Sequence, residues 1–205
     1  AGKVVMISGI PSMMMMFLAP LMMRYLDIRF AVIAGLLILS LSCWIDTALT
    51  ANSVGGDFVD SQLLRGVGTV MAFLFLNQAA ISSVPPQYAG DASGLFNAAR
   101  NIGGSLALAA IATVQEQRLW FHSRRIEETM QANSVAVQEH VSGMAQMLGG
   151  PEAALRAISG SITRDALVMT YNDMFWLLAV GILIVTPLVL LLKPLPKDIS
   201  AAPAH

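Results

Sequence analysis

Five continuous apolar blocks, each about twenty residues long, alternate with shorter polar stretches along this chain. They cover residues 4–23, 30–49, 62–84, 92–114 and 169–192. A bilayer core roughly 30 Å thick needs about 20 helical residues, whereas a transmembrane strand alternates in and out over about ten residues. The pattern therefore predicts an all-α membrane protein with five transmembrane helices.

Composition narrows the class of protein further. Of the 205 residues, 56% are hydrophobic and 12% are charged, half the charged fraction of about 25% in an ordinary soluble domain. The formal net charge of −1 lacks the basic excess that nucleic-acid binding requires. The single cysteine, Cys43, lies inside an apolar block and permits no internal disulfide. The expected surroundings are a lipid bilayer, and nucleic acid is not an expected partner.

The distribution of Lys and Arg predicts the orientation. The loop 24–29 and the tail with Lys193 and Lys197 are basic, whereas the loop 51–61 carries two Asp and no basic residue. Basic short loops stay in the cytoplasm, so the first loop and the C-terminus are expected there. The predicted organisation is four spans in 1–114, an extracytoplasmic helical connection at 115–165, and the last span with a cytoplasmic tail at 166–205.

The connection 115–165 is too long for a turn. Its sequence predicts that the fourth helix continues beyond the membrane, that residues 149–151 break it, and that a short amphipathic helix follows at 152–158. The segment is either a solvated link between two spans or a docking surface for a partner protein outside the membrane. Trp120 and Phe121 fit an interfacial aromatic anchor under both interpretations.

Polar residues inside the third and fourth blocks are more informative than the apolar ones. An Arg near a helix centre costs about 2.5 to 3.5 kcal/mol of insertion free energy, and each Leu, Ile, Phe or Val returns about 0.3 to 0.6. In the fourth block these contributions sum to about zero, so this helix needs a bundle to receive its polar side. The candidate polar faces comprise Arg65, Thr69 and Asn77 on the third helix and Asn97, Arg100 and Asn101 on the fourth.

The two arginines have two open interpretations. Arg65 lies at a depth similar to that of Asp46 on the preceding helix, which makes them a possible ion pair. Under a structural interpretation, Arg65 pairs with Asp46 or snorkels outward, and Arg100 hydrogen-bonds Asp91 or helix-end carbonyls. Under a functional interpretation, both arginines take part in a substrate or proton pathway.

Small residues predict where helices approach one another closely. The candidate packing positions are Gly66, Gly68, Gly90, Gly94, Gly103 and Gly104. The first block is rich in Met, which is either an adaptable surface for varied ligands or packing filler.

The sequence contains no motif for catalysis or metal binding. His122, His140 and His205 share no metal-ligand spacing, and no nucleophile elbow, P-loop or zinc motif is present. The chain is therefore not expected to be an enzyme, to hold a metal or to need a cofactor. Without a nucleotide site, any transport is expected to draw on an ion gradient.

Several short motifs follow one another in a distinctive order. They are Arg65-Gly66-Val67-Gly68, Pro85-Pro86, Gly90, Ala92-Ser93-Gly94, Asn97, Arg100, Gly103-Gly104-Ser105 and a closing run from Asn172-Asp173-Met174-Phe175-Trp176 to Lys193-Pro194. With them the chain resembles the C-terminal part of an EmrB/QacA-type multidrug efflux pump, one of the fourteen-span drug/proton antiporters of the major facilitator superfamily.

A loop between the first two helices adds to this resemblance. Arg24, Asp27 and Arg29 are similar to the superfamily's cytoplasmic motif, with Asp27 matching its acid. The loop departs from the motif at Met23, where Gly is usual, and at Ile28, where Arg is usual. These departures weaken the case for a gating role of this loop.

The resemblance implies a function for a larger molecule. These helices would be the last five of fourteen, in the C-terminal bundle of a major-facilitator fold, and the chain, which opens at Ala1 directly before a span, would be part of something longer. The missing part would contain the N-terminal bundle and most proton-coupling acids. The whole would export lipophilic small molecules across a bacterial inner membrane, driven by the proton gradient, with a periplasmic membrane-fusion adaptor as a further partner.

Two alternatives to drug export remain open at the level of sequence. The same fold exports other solutes, such as a siderophore or a metabolite, and nothing in the residues separates these from drugs. A protein of a different class, a nontransporting membrane scaffold whose outer connection binds a partner, is also compatible with the pattern.

Overall fold

Helices account for all the regular structure in the described part of the chain. A computed structural model describes residues 2–129 and 135–192. Its six α-helices are α1 (Gly2–Tyr25), α2 (Ile28–Ile45), α3 (Val59–Ser82), α4 (Ala89–Thr129), α5 (Val135–Leu148) and α6 (Pro151–Val185). Short 3-10 turns occupy Asp46–Ala48, Gly55–Phe58, Pro86–Tyr88 and Thr186–Leu191. The predicted all-α class is confirmed for these residues, and the predicted cytoplasmic tail lies outside them.

Within residues 2–129 and 135–192, three stretches of helix are long and apolar enough to cross a membrane. They are Ile28–Ala48, Gly55–Ser82 and Pro151–Leu191, and α1 adds a shorter apolar run at Met6–Met22. These stretches contain most of the second, third and fifth predicted spans. The fourth predicted span is helical, but polar residues lower its mean hydropathy and α4 is not among the three. The multi-pass character is confirmed, while the count of five stays a prediction.

Helices α2 and α3 form the centre of the packing. Helix α3 contacts both α1 and α2, and α6 contacts α2, α4 and α5. The core between them is apolar, with Ile28, Val32, Met71, Phe75 and Val189 all at most 6% exposed. Burial of this apolar surface brings together helices that are separated by more than 100 residues in sequence.

Glycines permit the closest helix crossing. A Cβ atom at Gly68 of α3 would lie 2.8 Å from the backbone nitrogen of Leu39 on α2, and one at Gly35 of α2 would lie 2.6 Å from that of Ala72 on α3. A Cβ atom at Gly66 would collide with the backbone oxygen of Ser8 on α1. The structure therefore packs both predicted glycines of α3, and it adds Gly35, which the sequence analysis did not identify.

Helix α4 is the least enclosed of the long helices. Every residue from 97 to 110 is exposed, on the polar and the apolar side alike. The other predicted packing glycines all lie on this helix, and no neighbour would lie within 4 Å of a Cβ atom at any of them: Gly90, Gly94, Gly103 and Gly104. The described residues thus provide no packing partner for this face of α4.

The connection 115–165 differs in part from its prediction. Helix α4 continues past residue 114 to Thr129 as expected, and Gly149 and Gly150, with φ of 82° and 157°, separate α5 from α6. The prediction of a short separate helix at 152–158 is wrong, because α6 runs unbroken from Pro151 to Val185. Pro suits the first turn of a helix, and no second Pro follows before residue 187.

Candidate functional site

The 3-10 turn that ends α2 places a buried carboxylate beside α3. Asp46 is 1% exposed, and its Oδ2 lies 2.5 Å from Nη2 of Arg65, whose side chain is 28% exposed. Oδ1 of Asp46 is buried and has no hydrogen-bond partner among the described residues. The structure therefore contains the ion pair between Asp46 and Arg65 that the sequence suggested. Because an unpaired carboxylate is costly to bury, Arg65 offsets the burial of Asp46.

Helix α6 supports this pair from the other side. The guanidinium carbon of Arg65 lies 5.2 Å from the centroid of the Phe175 ring, within the range of a cation–π contact. Below it, Ser42 Oγ donates a 2.7 Å hydrogen bond to the Ser61 carbonyl, which joins α2 to α3. The pair thus sits where three helices meet.

Two residues of α6 that precede Phe175 bond to the loop between α2 and α3. Asn172 Nδ2 donates a 2.8 Å hydrogen bond to the Leu49 carbonyl, and Arg164 donates one to the Ala51 carbonyl. Asn172 Oδ1 is buried without a hydrogen-bond partner among the described residues. Helix α6 therefore holds the α2–α3 loop through an amide and a guanidinium group, and it contacts α3 through the ring of Phe175.

The same stretch of α6 makes a second polar contact, with α4. His122 Nε2 lies 2.7 Å from Oδ2 of Asp173, and Arg118 Nη1 lies 3.6 Å from that oxygen. The His122 side chain is 14% exposed and that of Asp173 is 34% exposed. In the tautomer that bears its hydrogen on Nε2, the imidazole donates this hydrogen bond and the carboxylate accepts it.

Arg100 is placed differently from its structural interpretation. Its guanidinium carbon lies 4.3 Å from the centroid of the Phe73 ring on α3, and Phe73 in turn packs at 6.4 Å from Phe96. The expected contact with Asp91 or with helix-end carbonyls is not among the hydrogen bonds of the described residues. Stacking on an aromatic face leaves the N–H groups of a guanidinium unused, and no hydrogen bond of the Arg100 side chain is present among the described residues.

The two predicted polar faces do not merge into one surface. Arg65 and Phe73, the ring beneath Arg100, are eight residues apart on α3, a rise of about 12 Å. Asn97 Nδ2 donates a hydrogen bond to the Ser93 carbonyl within α4, whereas Asn101 accepts one from Ser105 Oγ through its backbone carbonyl.

The remaining predicted polar side chains of α3, those of Thr69 and Asn77, make no hydrogen bond among the described residues. Thr69 is exposed, and Asn77 Oδ1 is buried without a hydrogen-bond partner among the described residues.

The motif loop adopts an ordinary helix connection. Asp27 immediately precedes α2, is exposed, and makes no side-chain hydrogen bond to the start of that helix. Arg29 Nε is buried without a hydrogen-bond partner among the described residues. Arg24 lies in the last turn of α1, and its side chain is outside the described part. Nothing in this geometry shows a lock between helices.

The sequence analysis missed the polar stretch on α6. Asn172 and Asp173 entered only as part of a motif, and His122 was judged by metal-ligand spacing alone. The signal was available, because Asp173 is the only charged residue of the fifth predicted span, and a charged residue inside a span normally has a partner. The identity of that partner, 51 residues away, required the fold.

Comparison with known proteins gives one consistent group of relatives. The chain is 28% identical over 185 residues to the colistin resistance protein EmrB of Acinetobacter baumannii and 26% identical over 181 residues to the fatty acid resistance protein FarB of Neisseria gonorrhoeae, each match covering 87% of this chain and 36% of the relative. It is 26% identical over 136 residues to the multidrug export protein EmrB of Escherichia coli K12, covering 65% of this chain and 26% of that protein. No protein-family model and no solved structure matches.

The matches cover most of this chain and a minor part of each relative. The chain spans about a third of the length of the relatives that match it over the longest stretch. The resemblance indicated by the motifs extended from the first helix to the last. It therefore included both arginine-bearing helices and the stretch of α6 around Asp173. The comparisons confirm it: this chain is similar, over most of its length, to EmrB-type multidrug export proteins.

Proposed function

We propose that this chain forms the C-terminal part of a proton-driven exporter of lipophilic compounds. The observation that carries the proposal is the match of 87% of the chain to proteins named for resistance to colistin and to fatty acids. The three membrane-length helical stretches support it, because they fit a multi-pass transporter. The proposed energy source is the proton gradient, with no bound cofactor and no enzymatic step.

In the proposed transporter, α1 to α4 and α6 all cross the inner membrane as part of a major-facilitator bundle. Helix α4 then needs neighbours, because its residues 97–110 are exposed in this chain and include Arg100. The relatives are nearly three times as long as the matched region, and helices from the rest of such a transporter would cover this face. The loop 24–29 and the C-terminus would face the cytoplasm.

The exposed face of α4 is the proposed wall of the transport pathway. There Arg100 lies on Phe73, next to Phe96, which places a cation and two aromatic rings on one surface. Aromatic rings offer apolar contact to lipophilic compounds, and the free N–H groups of Arg100 offer an orienting hydrogen bond. The buried pair of Asp46 and Arg65 would instead keep three helices in register during the rocking motion of alternating access.

The outer ends of α4, α5 and α6 are the proposed contact for a membrane-fusion adaptor. Several large apolar or aromatic side chains are exposed there, including Trp120 at 62%, Met147 at 87% and Leu155 at 56%. Arg124 stacks over Trp120 at 4.5 Å, which suits an interfacial anchor as well as a protein contact.

A transport assay on the full-length protein tests the proposal. Reconstituted into vesicles with an imposed proton gradient, it should move a lipophilic dye against the dye's concentration gradient, and an uncoupler should abolish this movement. Arg100→Ala should reduce transport at least tenfold while the protein still inserts, and Arg100→Lys should restore part of it. The matched control is Arg156→Ala, whose side chain is 83% exposed on α6.

Each other outcome points to a different function. Dye movement that ignores the proton gradient would contradict proton coupling. Movement of a siderophore or metabolite, but of no lipophilic dye, would favour the alternative cargo. If the protein moves no solute across the vesicle membrane but binds a partner protein at its outer connection, the nontransporting scaffold is favoured over the exporter. Full transport by Arg100→Ala would remove this residue from the pathway.

A further inference from the structure

His122, Asp173 and Arg118 form a polar cluster that the proposed transport pathway does not use. It joins the part of α4 beyond residue 114 to the first turn of the fifth predicted span. A single carboxylate oxygen receives both contacts, at 2.7 Å from the imidazole and 3.6 Å from the guanidinium. We propose that His122 and Asp173 are a proton-binding site that tightens the contact between α4 and α6 when the imidazole is protonated.

Imidazole chemistry defines where the proton goes. In the tautomer whose Nε2 donates to Asp173, the additional proton binds at Nδ1 and the ring becomes a cation. A hydrogen bond from a cation to a carboxylate is roughly twice as strong as a neutral one. Histidine is the side chain whose charge ordinarily changes between pH 5 and 8. The contact is therefore strong in acid and weaker in alkali.

Because His122 is mostly buried, its change of charge affects the free energy of the contact between α4 and α6. The His122 side chain is only 14% exposed and packs edge-on against the Phe121 ring at 5.4 Å. A partly buried cation needs its carboxylate, so protonation raises the cost of separating the two helices. The 34% exposure of Asp173 keeps a route for the proton from water.

The other charged or titratable groups near the cluster, among the described residues, lie on α4, on α5 and at the end of α2. On α4, Arg118 and Arg125 lie one turn before and one turn after His122. On the opposite side of α6, Asp46 is already paired with Arg65. Helix α5, which also packs on α6, carries Glu139, which is exposed, and His140. Of the described groups, Arg118 is the cation whose contact with the same carboxylate oxygen is seen.

The charge of Arg118 should affect the pH at which the contact between α4 and α6 tightens. Its positive charge repels a protonated imidazole that shares the same oxygen. Arg118→Gln should therefore shift the midpoint of the α4–α6 transition to higher pH. A role of the cluster in packing alone predicts no such shift, because packing does not depend on the charge of the imidazole.

The experiment measures the distance between the two helices as the pH changes. Spin labels are placed at Glu127→Cys on α4 and Ser161→Cys on α6, both exposed positions, in the full-length protein in vesicles. Double electron–electron resonance should show a short-distance population that grows as the pH falls from 8 to 5. His122→Gln and Asp173→Asn should both abolish the pH dependence.

Matched controls separate the pair from other titrating groups. His140→Gln, on α5, and Arg156→Gln, on the exposed side of α6, should leave the transition unchanged. A distance that does not depend on pH in the unsubstituted protein would overturn the proposal without any variant. Persistence of the same transition in both His122→Gln and Asp173→Asn would also overturn it.

Only the role of this site in export depends on the proposed function. A protein that shows the pH-dependent distance but exports nothing would contradict the proposed function and leave the proton site in place. A protein that exports a lipophilic dye while the distance ignores pH would do the reverse. If both hold, the orientation proposed above exposes the site to the outer compartment, which is the acidic side of the proton gradient.

Discussion

Loss of Arg65 should destabilise the helix bundle far more than loss of an exposed arginine. Arg65→Gln leaves the Asp46 carboxylate buried at 1% exposure, with Oδ1 already lacking a hydrogen-bond partner among the described residues. Breaking a buried ion pair by removing one partner costs about 3 to 5 kcal/mol. Because Arg65 is 28% exposed and water can replace part of it, we expect the lower end, about 3 kcal/mol of unfolding free energy.

The reverse substitution should cost less. Asp46→Asn keeps an oxygen that accepts from Arg65, and the partly exposed guanidinium can turn toward water, so about 1 to 2 kcal/mol is expected. The double variant should be less destabilised than the sum of the two single variants by about 2 kcal/mol, because it leaves no buried charge alone.

Denaturant titration of the full-length protein in mixed micelles measures these differences. The control is Arg156→Gln, whose pairing with Glu152 is exposed on both sides and should contribute less than about 0.5 kcal/mol. The argument from burial is refuted if Arg65→Gln costs no more unfolding free energy than this control. It is also refuted if the costs of Arg65→Gln and Asp46→Asn simply add in the double variant.

Two further predictions concern packing and topology. Gly68→Ala should destabilise the protein by about 1 to 3 kcal/mol, because its Cβ would lie 2.8 Å from the backbone of Leu39. Gly160→Ala on α6, where a Cβ atom would have no neighbour within 4 Å, should not destabilise the protein in the same titration, since Ala favours a helix over Gly. Equal effects would show that the crossing relaxes freely. In right-side-out vesicles, an impermeant maleimide should label Asn52→Cys and spare Leu26→Cys, both exposed loop positions; the opposite pattern would invert the proposed orientation.

Some features of the site follow from sequence because they depend on local depth in the membrane. Asp46 and Arg65 lie at the ends of consecutive apolar helices joined by a short loop, so their depths match almost by necessity. The same holds for Gly66 and Gly68, since small residues in a polar stripe mark a face that another helix approaches. Contacts between consecutive helices can thus be predicted largely from the positions of their residues along the chain.

Other features depend on contacts that no local pattern encodes. The partner of Asp173 is His122, which lies on a different helix 51 residues earlier. The sequence around His122 suggested a solvated link or a docking surface, and neither interpretation identifies a contact with Asp173. The partner of Gly68 is the backbone of α2 near Gly35, which has no polar stripe to mark it. Arg100 found an aromatic ring on α3 rather than an acid on its own helix.

The sequence by itself determined the helical class, the membrane-length apolar blocks and the resemblance to drug exporters, because each depends on hydropathy or on short motifs along the chain. Only the tertiary structure decided that a single stretch of α6, from Asn172 to Phe175, contacts the loop after α2 together with α3 and α4. The physical reason is that these contacts arise from burial of apolar surface over the whole helix bundle, which sets the rotation of each helix and so chooses the polar groups that meet.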